Sequence, residues 1–354
     1  MLRAWSSLDA RACLGAISAC VTLAAAIGLS GCGTNAMSTS PPAAASASKP
    51  GAAVSGYVWD SRISGLRPVT GSLGASHLEG SISGSTFSAA TPCDSRDFAL
   101  LADPAGTVTM MTLSSGQQLQ VAAPVAKSER IILSPSCSNA LVYSPGTAGG
   151  FMISGLPSSP LTQSLSFASS RSIVGAAVSD KGSILLASLN TDGSSAVELL
   201  PVAGSPQAIK RLQKFGALTF LPGGDDALIA DAGANVVSLE RQISGNPTVI
   251  QLASSASGVS RPVAASASAD GHFAFVANGT GGTIIRFDVS GTSAPISISC
   301  ACIASELLPL HGNASFQLSD PAAGAIFALD GDAAMPRTVF IPTDKIATVR
   351  GGAR

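Results

Sequence analysis

The sequence repeats a phrase of about 42–46 residues, and this repeat constrains the fold more than any other feature. Each copy contains a turn, an apolar strand, a second turn and a second apolar strand. The clearest copy spans residues 268–289, where Asp270 and Gly271 form the first turn. Related copies begin at Cys93 and Asp225, and looser copies begin near Ser136, Asp180 and Gly312. Because Gly, Pro and Asp interrupt the apolar runs so often, each unit is predicted to contain short strands rather than paired helices.

The two ends of the chain determine how many units there are. Residues 56–60 and 65–69 match the middle two strands of the phrase, so the first unit begins without its innermost strand. Residues 338–341 complete the last copy, and residues 345–349 remain to supply the missing strand. Seven copies result, and joining both chain ends in one unit hides two sheet edges. We therefore predict an all-β, seven-bladed β-propeller over residues 55–350.

The best-defined copy allows a family resemblance to be stated. Phe275-Val276-Ala277-Asn278, preceded by the Asp270-Gly271 turn, resembles the strand end of the YVTN-repeat, lactonase-like propellers of bacteria. The other copies end at Asp60, Asp103, Asp231 and Asp320, which keep the acidic residue but lose the aromatic start. The resemblance implies a seven-bladed fold. It leaves function open, because some members of that family are sugar lactonases and many are binding or scaffold proteins.

The N-terminal residues 1–31 read as an export signal. Arg3 and Arg11 precede an uncharged run over residues 13–29, which is too rich in Ala, Gly and Ser for a membrane-spanning helix. The run ends in Leu29-Ser30-Gly31-Cys32, which resembles the lipobox of bacterial lipoproteins. A competing box ends at Cys20, but too few apolar residues precede it. We expect lipid attachment at Cys32; the alternative is an ordinary secretory signal with an incidental cysteine.

Residues 32–54 are predicted to be a disordered tether, because they contain almost no large apolar residues. With Cys32 lipidated, the tether would hold the propeller at a membrane. Gly33 favours the outer membrane over the inner one, and the sequence does not indicate whether the domain faces the periplasm or the cell surface. The expected location is therefore the cell envelope.

Composition and charge restrict the partners. Charged residues make up 12% of the chain and the formal net charge is −1, with no basic run. Neither nucleic acid nor anionic lipid is therefore expected to bind by electrostatic attraction. We expect a monomer whose partner is an envelope protein, a peptide or a glycan.

The search for catalytic or metal-binding residues gives no site. His77, His272 and His311 lie in separate predicted loops, without the close spacing that a metal site requires. Residues 279–282 are rich in Gly but lack the helix and Lys of a phosphate loop. Asp103, Asp231, Asn278 and Asp320 share one position and could form a ligand ring, although Asp and Asn are also typical tight-turn residues. No catalytic residue, metal or cofactor is predicted.

Four cysteines follow Cys32. Cys93 and Cys137 both precede the second strand of consecutive copies, so we predict a disulfide between them. Cys300 and Cys302 point to one face of a strand, and a bridge between them would be strained. For this pair a structural bridge, two buried thiols and a redox role all remain open.

Two classes of function remain. The first is a non-enzymatic binding or scaffold propeller with an unknown ligand. The alternative is a lactonase-like or other sugar-acting hydrolase or lyase on the same fold. An enzyme of this kind needs His, Arg and carboxylates from several blades at the mouth of the channel, and the sequence contains few. We therefore expect the protein not to be an enzyme.

Overall fold

The computed structural model describes residues 53–84, 86–122, 129–145, 149–167, 172–323 and 326–343. These residues form seven small antiparallel sheets arranged as a ring, which confirms the predicted seven-bladed β-propeller. The predicted signal over residues 1–31, Cys32 and nearly all of the tether lie outside the described residues. Within the described residues, no helix is long and apolar enough to cross a bilayer.

The strands follow one another around the ring. The first three sheets contain β1 (Val54–Asp60), β2 (Gly65–Thr70) and β3 (His77–Leu78); β4 (Ala89–Cys93), β5 (Phe98–Ala102), β6 (Val108–Thr112) and β7 (Gln118–Ala122); and β8 (Arg130–Leu133), β9 (Asn139–Tyr143), β10 (Gly149–Ser154) and β11 (Leu161–Ser166). The next two contain β12 (Ile173–Val178), β13 (Ile184–Leu189), β14 (Ser195–Leu200) and β15 (Gln207–Leu212); and β16 (Phe215–Phe220), β17 (Ala227–Asp231), β18 (Val236–Arg241) and β19 (Thr248–Ala253). The last two contain β20 (Pro262–Ala267), β21 (Phe273–Asn278), β22 (Thr283–Asp288) and β23 (Ile296–Ser299); and β24 (Leu308–Pro309), β25 (Ser315–Gln317), β26 (Ile326–Asp330) and β27 (Arg337–Ile341).

In the described part of the chain, the remaining regular elements are three short 3-10 turns, Asp94–Arg96, Ser255–Ser257 and Pro321–Ala323. Asp97 and Gly258, which follow the first two turns, adopt left-handed backbone conformations with φ of 55° and 89°. Asp97 also accepts hydrogen bonds from the backbone and hydroxyl of Ser114, which ties this turn to the next hairpin.

The second strand of a sheet is the most buried one. All residues of β5, β9 and β17 are buried, because neighbouring sheets cover both faces of these strands. Their sequences are therefore nearly continuous apolar runs rather than alternating patterns. The outermost strand β11 shows the opposite behaviour, with five of its six residues exposed.

Adjacent sheets share one apolar interface. Phe275 of β21 packs against Phe316 of β25 with ring centroids 5.1 Å apart, and both side chains are almost completely buried. This contact joins the sixth sheet to the seventh. Equivalent apolar contacts between the other sheets distribute the core around the ring instead of concentrating it at one centre.

The first sheet has three strands among the described residues, whereas the other six have four. Its strand β1 takes the position of a second strand, because the Ser55 carbonyl accepts a hydrogen bond from His311, in the first turn of the last sheet, at 3.0 Å. The innermost strand is therefore the one missing, as the sequence predicted. Residues 338–341 lie in β27 as expected. Residues 345–349, proposed for the missing strand, lie outside the described part of the chain.

Candidate functional site

The propeller has two faces with different turns. The lower face carries the turns between the first and second strands of each sheet. Some of these turns bond to one another: Ser136 donates its backbone N–H to Asp180 at 2.7 Å, and Asn313 donates its side-chain amide to Asp270 at 2.9 Å. The upper face carries the turns between second and third strands and the connections from sheet to sheet. The upper face carries the group of charged and amide side chains described next.

We call this group of five side chains the mouth cluster: Arg62, Arg130, Glu306, Gln317 and Asp320. Arg130 begins β8, an innermost strand, and Glu306 lies two residues before β24, another innermost strand. Gln317 ends β25, and Asp320 follows it in the connection to β26. The members come from the first, third and last sheets and are linked by electrostatic interactions, because Asp320 acts on both Arg62 and Glu306 and Arg130 acts on Glu306.

Glu306 is the most unusual member of the mouth cluster. Its Oε1 accepts a hydrogen bond from Gln317 Nε2 at 2.5 Å, and the same Nε2 donates to the Ser319 carbonyl at 3.0 Å. Burial raises the pKa of Glu306 to about 7, although the hydrogen bond from Gln317 lowers it. The negative charge of Asp320 adds to the rise, and the positive charge of Arg130 opposes it. The carboxyl group therefore exchanges protons near neutral pH.

A buried ion pair supports the cluster from the first sheet. Asp60, at the end of β1, is fully buried and lies 3.2 Å from Arg67 Nη1 and 2.9 Å from Arg62 Nη2. Burial alone would raise the pKa of Asp60, but the hydrogen bonds from Arg62 and Arg67 outweigh it and lower that pKa. Arg67 also donates to the carbonyls of Glu79 and Leu78. Arg62 is partly exposed, and the hydrogen bond to Asp60 together with the negative charge of Asp320 raises its pKa. Arg62 therefore belongs both to the contacts of Asp60 and to the mouth cluster.

The innermost strands contribute apolar side chains. Val174 of β12, Val263 of β20 and Leu308 of β24 are each about two-fifths exposed, at 38%, 40% and 45%. The innermost strands, which include β8 with Arg130, therefore also carry exposed apolar side chains. Such a combination suits recognition of a ligand through a few oriented polar contacts over an apolar wall.

The three histidines do not converge. His77 lies on β3, where its Nε2 is 3.0 Å from Glu79 Oε1 and 3.2 Å from the Thr70 hydroxyl, and its side chain is about half exposed. His272 and His311 lie in lower-face turns of different sheets, away from the mouth cluster. Among the residues that the structure describes, no group of three or more His, Cys, Asp and Glu could hold a metal ion.

The repeated Asp and Asn residues make turn contacts. Asp103 accepts the Thr107 backbone N–H at 2.9 Å, and Asp320 accepts that of Ala322 at 2.8 Å. Asp231 accepts backbone N–H groups from Gly233 and Ala234, and Asn278 accepts that of Ser260. The local bonds of Asp103, Asp320 and Asp231 lie within tight turns. The bond of Asn278 differs, because Ser260 lies 18 residues earlier in the chain, just before β20.

The cysteines of the folded domain lie in two pairs. Cys93 and Cys137 are disulfide-bonded across neighbouring sheets, with Cα atoms 6.3 Å apart. Cys300 and Cys302 are also bonded, with Cα atoms 5.0 Å apart, in the connection between β23 and β24. The second bridge matches the structural-bridge alternative for this pair and lies in the same connection as Glu306.

The sequence pattern does not predict the mouth cluster. Asp320 fits the pattern as a turn residue, and Arg130 and Glu306 fall outside the repeated phrase. One weak signal was available: Glu306 is the only acidic residue between Asp288 and Asp320. A single acid in such a stretch does not indicate which distant residues it meets.

Comparisons with known proteins identify the fold. No family model matches the chain, and no curated protein matches it in sequence. A protein of unknown function from Desulfotomaculum acetoxidans matches with a TM-score of 0.57 and 14% identity, over 82% of this chain and 100% of that one. Hydrazine synthase of Kuenenia stuttgartiensis matches with a TM-score of 0.50 and 10% identity, over 78% and 89% of the two chains. Virginiamycin B lyase of Staphylococcus aureus, in an inactive form with quinupristin, matches with a TM-score of 0.48 and 12% identity, over 72% of this chain and 87% of that one. At these identities the likeness shows the fold alone: the chain is a seven-bladed β-propeller.

Proposed function

We propose that the protein is a lipid-anchored propeller of the cell envelope that binds an envelope protein, peptide or glycan at the mouth cluster and catalyses no reaction. The observation that carries this proposal is the hydrogen bond from Gln317 to the buried Glu306 carboxyl group, on which the charges of Arg130 and Asp320 act from other parts of the chain. A buried carboxyl group held by an amide and surrounded by both signs of charge suits specific polar recognition.

Catalysis is the second candidate, and one observation favours it. A carboxyl group with a pKa near 7, such as Glu306, can donate and accept protons at neutral pH. A lactonase-like or other sugar-acting hydrolase or lyase would use Glu306 in that way. We favour binding because the three histidines lie elsewhere and Gln317 already engages Glu306.

Envelope extracts passed over the immobilised protein test the binding role. We expect the full chain to retain a partner that binds at least about tenfold more weakly to Arg130→Gln and Glu306→Gln, because each variant removes a charge from the mouth cluster. Arg211→Gln and Glu198→Gln serve as matched controls, because Arg211 lies on β15 and Glu198 on β14, outside the cluster. Equal retention by all four variants would place binding elsewhere. Turnover of a lactone, ester or glycoside that Glu306→Gln abolishes would instead favour the enzyme.

Lipid anchoring has its own test. Labelling cells with a radioactive fatty acid should label the parent protein and the Cys20→Ser variant, but not Cys32→Ser, because only the Cys32 thiol would carry the diacylglycerol. The Cys32→Ser protein should accumulate unprocessed or leave the membrane fraction. Equal label on Cys32→Ser and the parent would exclude lipidation at this residue.

A further inference from the structure

The outer edges of the first and last sheets meet at a parallel bridge. Leu78 of β3 pairs with Thr343, and its backbone N–H donates to the Pro342 carbonyl at 3.3 Å. Toward the lower face, the next hydrogen bond of such a parallel pair would need the N–H of Pro342. Proline has no N–H, so the pairing stops there. Among the described residues, the two edges are therefore unpaired on the lower side of the bridge.

An open cleft of about 570 Å³ lies between these two edges. Residues 72–75, in the turn between β2 and β3, form one wall, and Arg337, Val339 and Phe340 of β27 form the other. The walls approach closely, since a Cβ built on Gly74 would lie 3.7 Å from Arg337 Nη2 and 3.8 Å from Val339 Cγ1. We call this space the rim cleft. Its volume falls within the usual range of ligand sites.

The edge of β27 along the rim cleft has free backbone groups. The Pro342 carbonyl points to this edge, because it accepts the N–H of Leu78. Backbone groups of alternate strand residues point the same way, so those of Thr338 and Phe340 also point there. The opposite side agrees, since Phe327, which pairs with Phe340, directs its carbonyl toward β25. Among the described residues, this stretch of edge has no strand partner, and an open edge is a template for an added strand.

The two faces of β27 carry different side chains. Arg337 lies on the face toward the first sheet, with Nη2 3.3 Å from Asp330 Oδ2. Its side chain is 62% exposed, so further N–H donors of the guanidinium group are accessible. Phe340 lies on the opposite face, where its ring packs edge-on against Phe327 and is 53% exposed. A strand added beside β27 would therefore meet a cation on one face and an apolar ring on the other.

We propose that the rim cleft binds an extended segment of a partner protein as an additional strand on β27, with acidic side chains facing Arg337 and apolar side chains covering Phe340. Arg337 is the charged residue of the cleft lining, so a carboxylate complements it and a basic residue does not. Backbone hydrogen bonds to Thr338 and Phe340 supply affinity, and the alternation of side chains supplies specificity. The lining contains no residue of the mouth cluster, so the two sites are independent.

Fluorescence anisotropy with two labelled peptides of equal length tests the charge preference. One peptide alternates Val with Glu, and the other alternates Val with Lys. We expect the full chain to bind the acidic peptide, and Arg337→Gln to bind it about tenfold more weakly because a charge-assisted contact is lost. Arg211→Gln is the matched control, since Arg211 is also an exposed outer-strand residue paired with a carboxylate, that of Asp192. Failure to bind the acidic peptide, a preference for the basic one, or equal affinity of Arg337→Gln and the parent overturns the proposal.

Backbone pairing has a separate test. Thr338→Pro removes an N–H that points to the rim cleft, whereas Thr338→Val keeps it and removes only the hydroxyl, which donates to the Ser299 carbonyl. The acidic peptide should bind at least about tenfold more weakly to the proline variant than to the valine variant. Thermal unfolding of both variants checks that the fold is kept. Equal affinity for two folded variants would contradict pairing along β27.

Hydrogen exchange of the unmodified full chain locates the bound peptide. The amides of Thr338 and Phe340 should exchange rapidly in the free protein and at least about tenfold more slowly with the acidic peptide, because they gain a partner. Peptide binding that leaves both amides unchanged overturns the proposal. Protection before any peptide is added also overturns it. Protection that depends on protein concentration would then indicate a second copy on the edge, and protection that does not would indicate another part of the same chain.

Discussion

Replacing Arg67 by methionine is expected to lower the free energy of unfolding by about 3–5 kcal/mol, because it leaves the carboxylate of Asp60 buried without its most buried partner. Arg67 is 3% exposed and Asp60 fully buried, so water cannot replace the lost contacts. Methionine retains much of the side-chain volume and removes the charge. Urea denaturation of the two proteins, analysed by linear extrapolation, gives the difference.

Arg62→Met is the matched control for this prediction. Arg62 contacts the same carboxylate, but its side chain is 34% exposed and solvent screens the interaction. We expect a loss of about 1 kcal/mol or less. In addition, Asp60→Asn should restore part of the stability that Arg67→Met removes, because it neutralises the buried charge. Equal losses for the two arginine variants would show that the geometry around Asp60 is not that of a buried ion pair.

Replacing Cys93 and Cys137 together by serine is expected to lower the free energy of unfolding by about 4 kcal/mol. The two cysteines are 44 residues apart in sequence, so their bond restricts a long loop of the unfolded chain. Urea denaturation without reductant measures the loss, and mass spectrometry of peptide digests identifies the bonded pair. A parent digest without the peptide pair containing Cys93 and Cys137 would contradict the bond directly.

The second cysteine pair is the control for the first. Cys300 and Cys302 are 2 residues apart in sequence, so their bond closes a very short loop. The same loop-closure argument gives a smaller loss, about 1–2 kcal/mol, for the double serine variant. Two equal losses would mean that loop closure is not the main contribution of the Cys93–Cys137 bond.

The architecture could be predicted from the sequence because its determinants are local. Each sheet is built from consecutive strands, so a turn such as Asp270-Gly271 and the apolar run Phe273–Asn278 that follows it specify most of a blade without distant contacts. Because each copy is local, the sequence also shows that the first sheet starts at its second strand. For the same reason it places Cys93 and Cys137 at equivalent positions of adjacent sheets, and in the structure these two cysteines are bonded.

The mouth cluster could not be predicted in this way. Arg130 lies in the third sheet and Glu306 just before the seventh, both outside the repeated phrase, and only the assembled ring lets the charge of Arg130 act on Glu306. Asp60 and Arg67 fit the repeat as strand residues, but the repeat does not reveal that both are buried and paired. Their positions depend on how complete sheets pack, which the period of the sequence does not contain.

The described chain begins on the face opposite the mouth cluster. Ala53 bonds to Gly71 at 2.8 Å and Ser55 to His311, so the polypeptide arrives at the lower face, whereas the mouth cluster lies on the upper face. A group joined to the chain before Ala53 would therefore start from the lower face and leave the upper face open to a bulky partner.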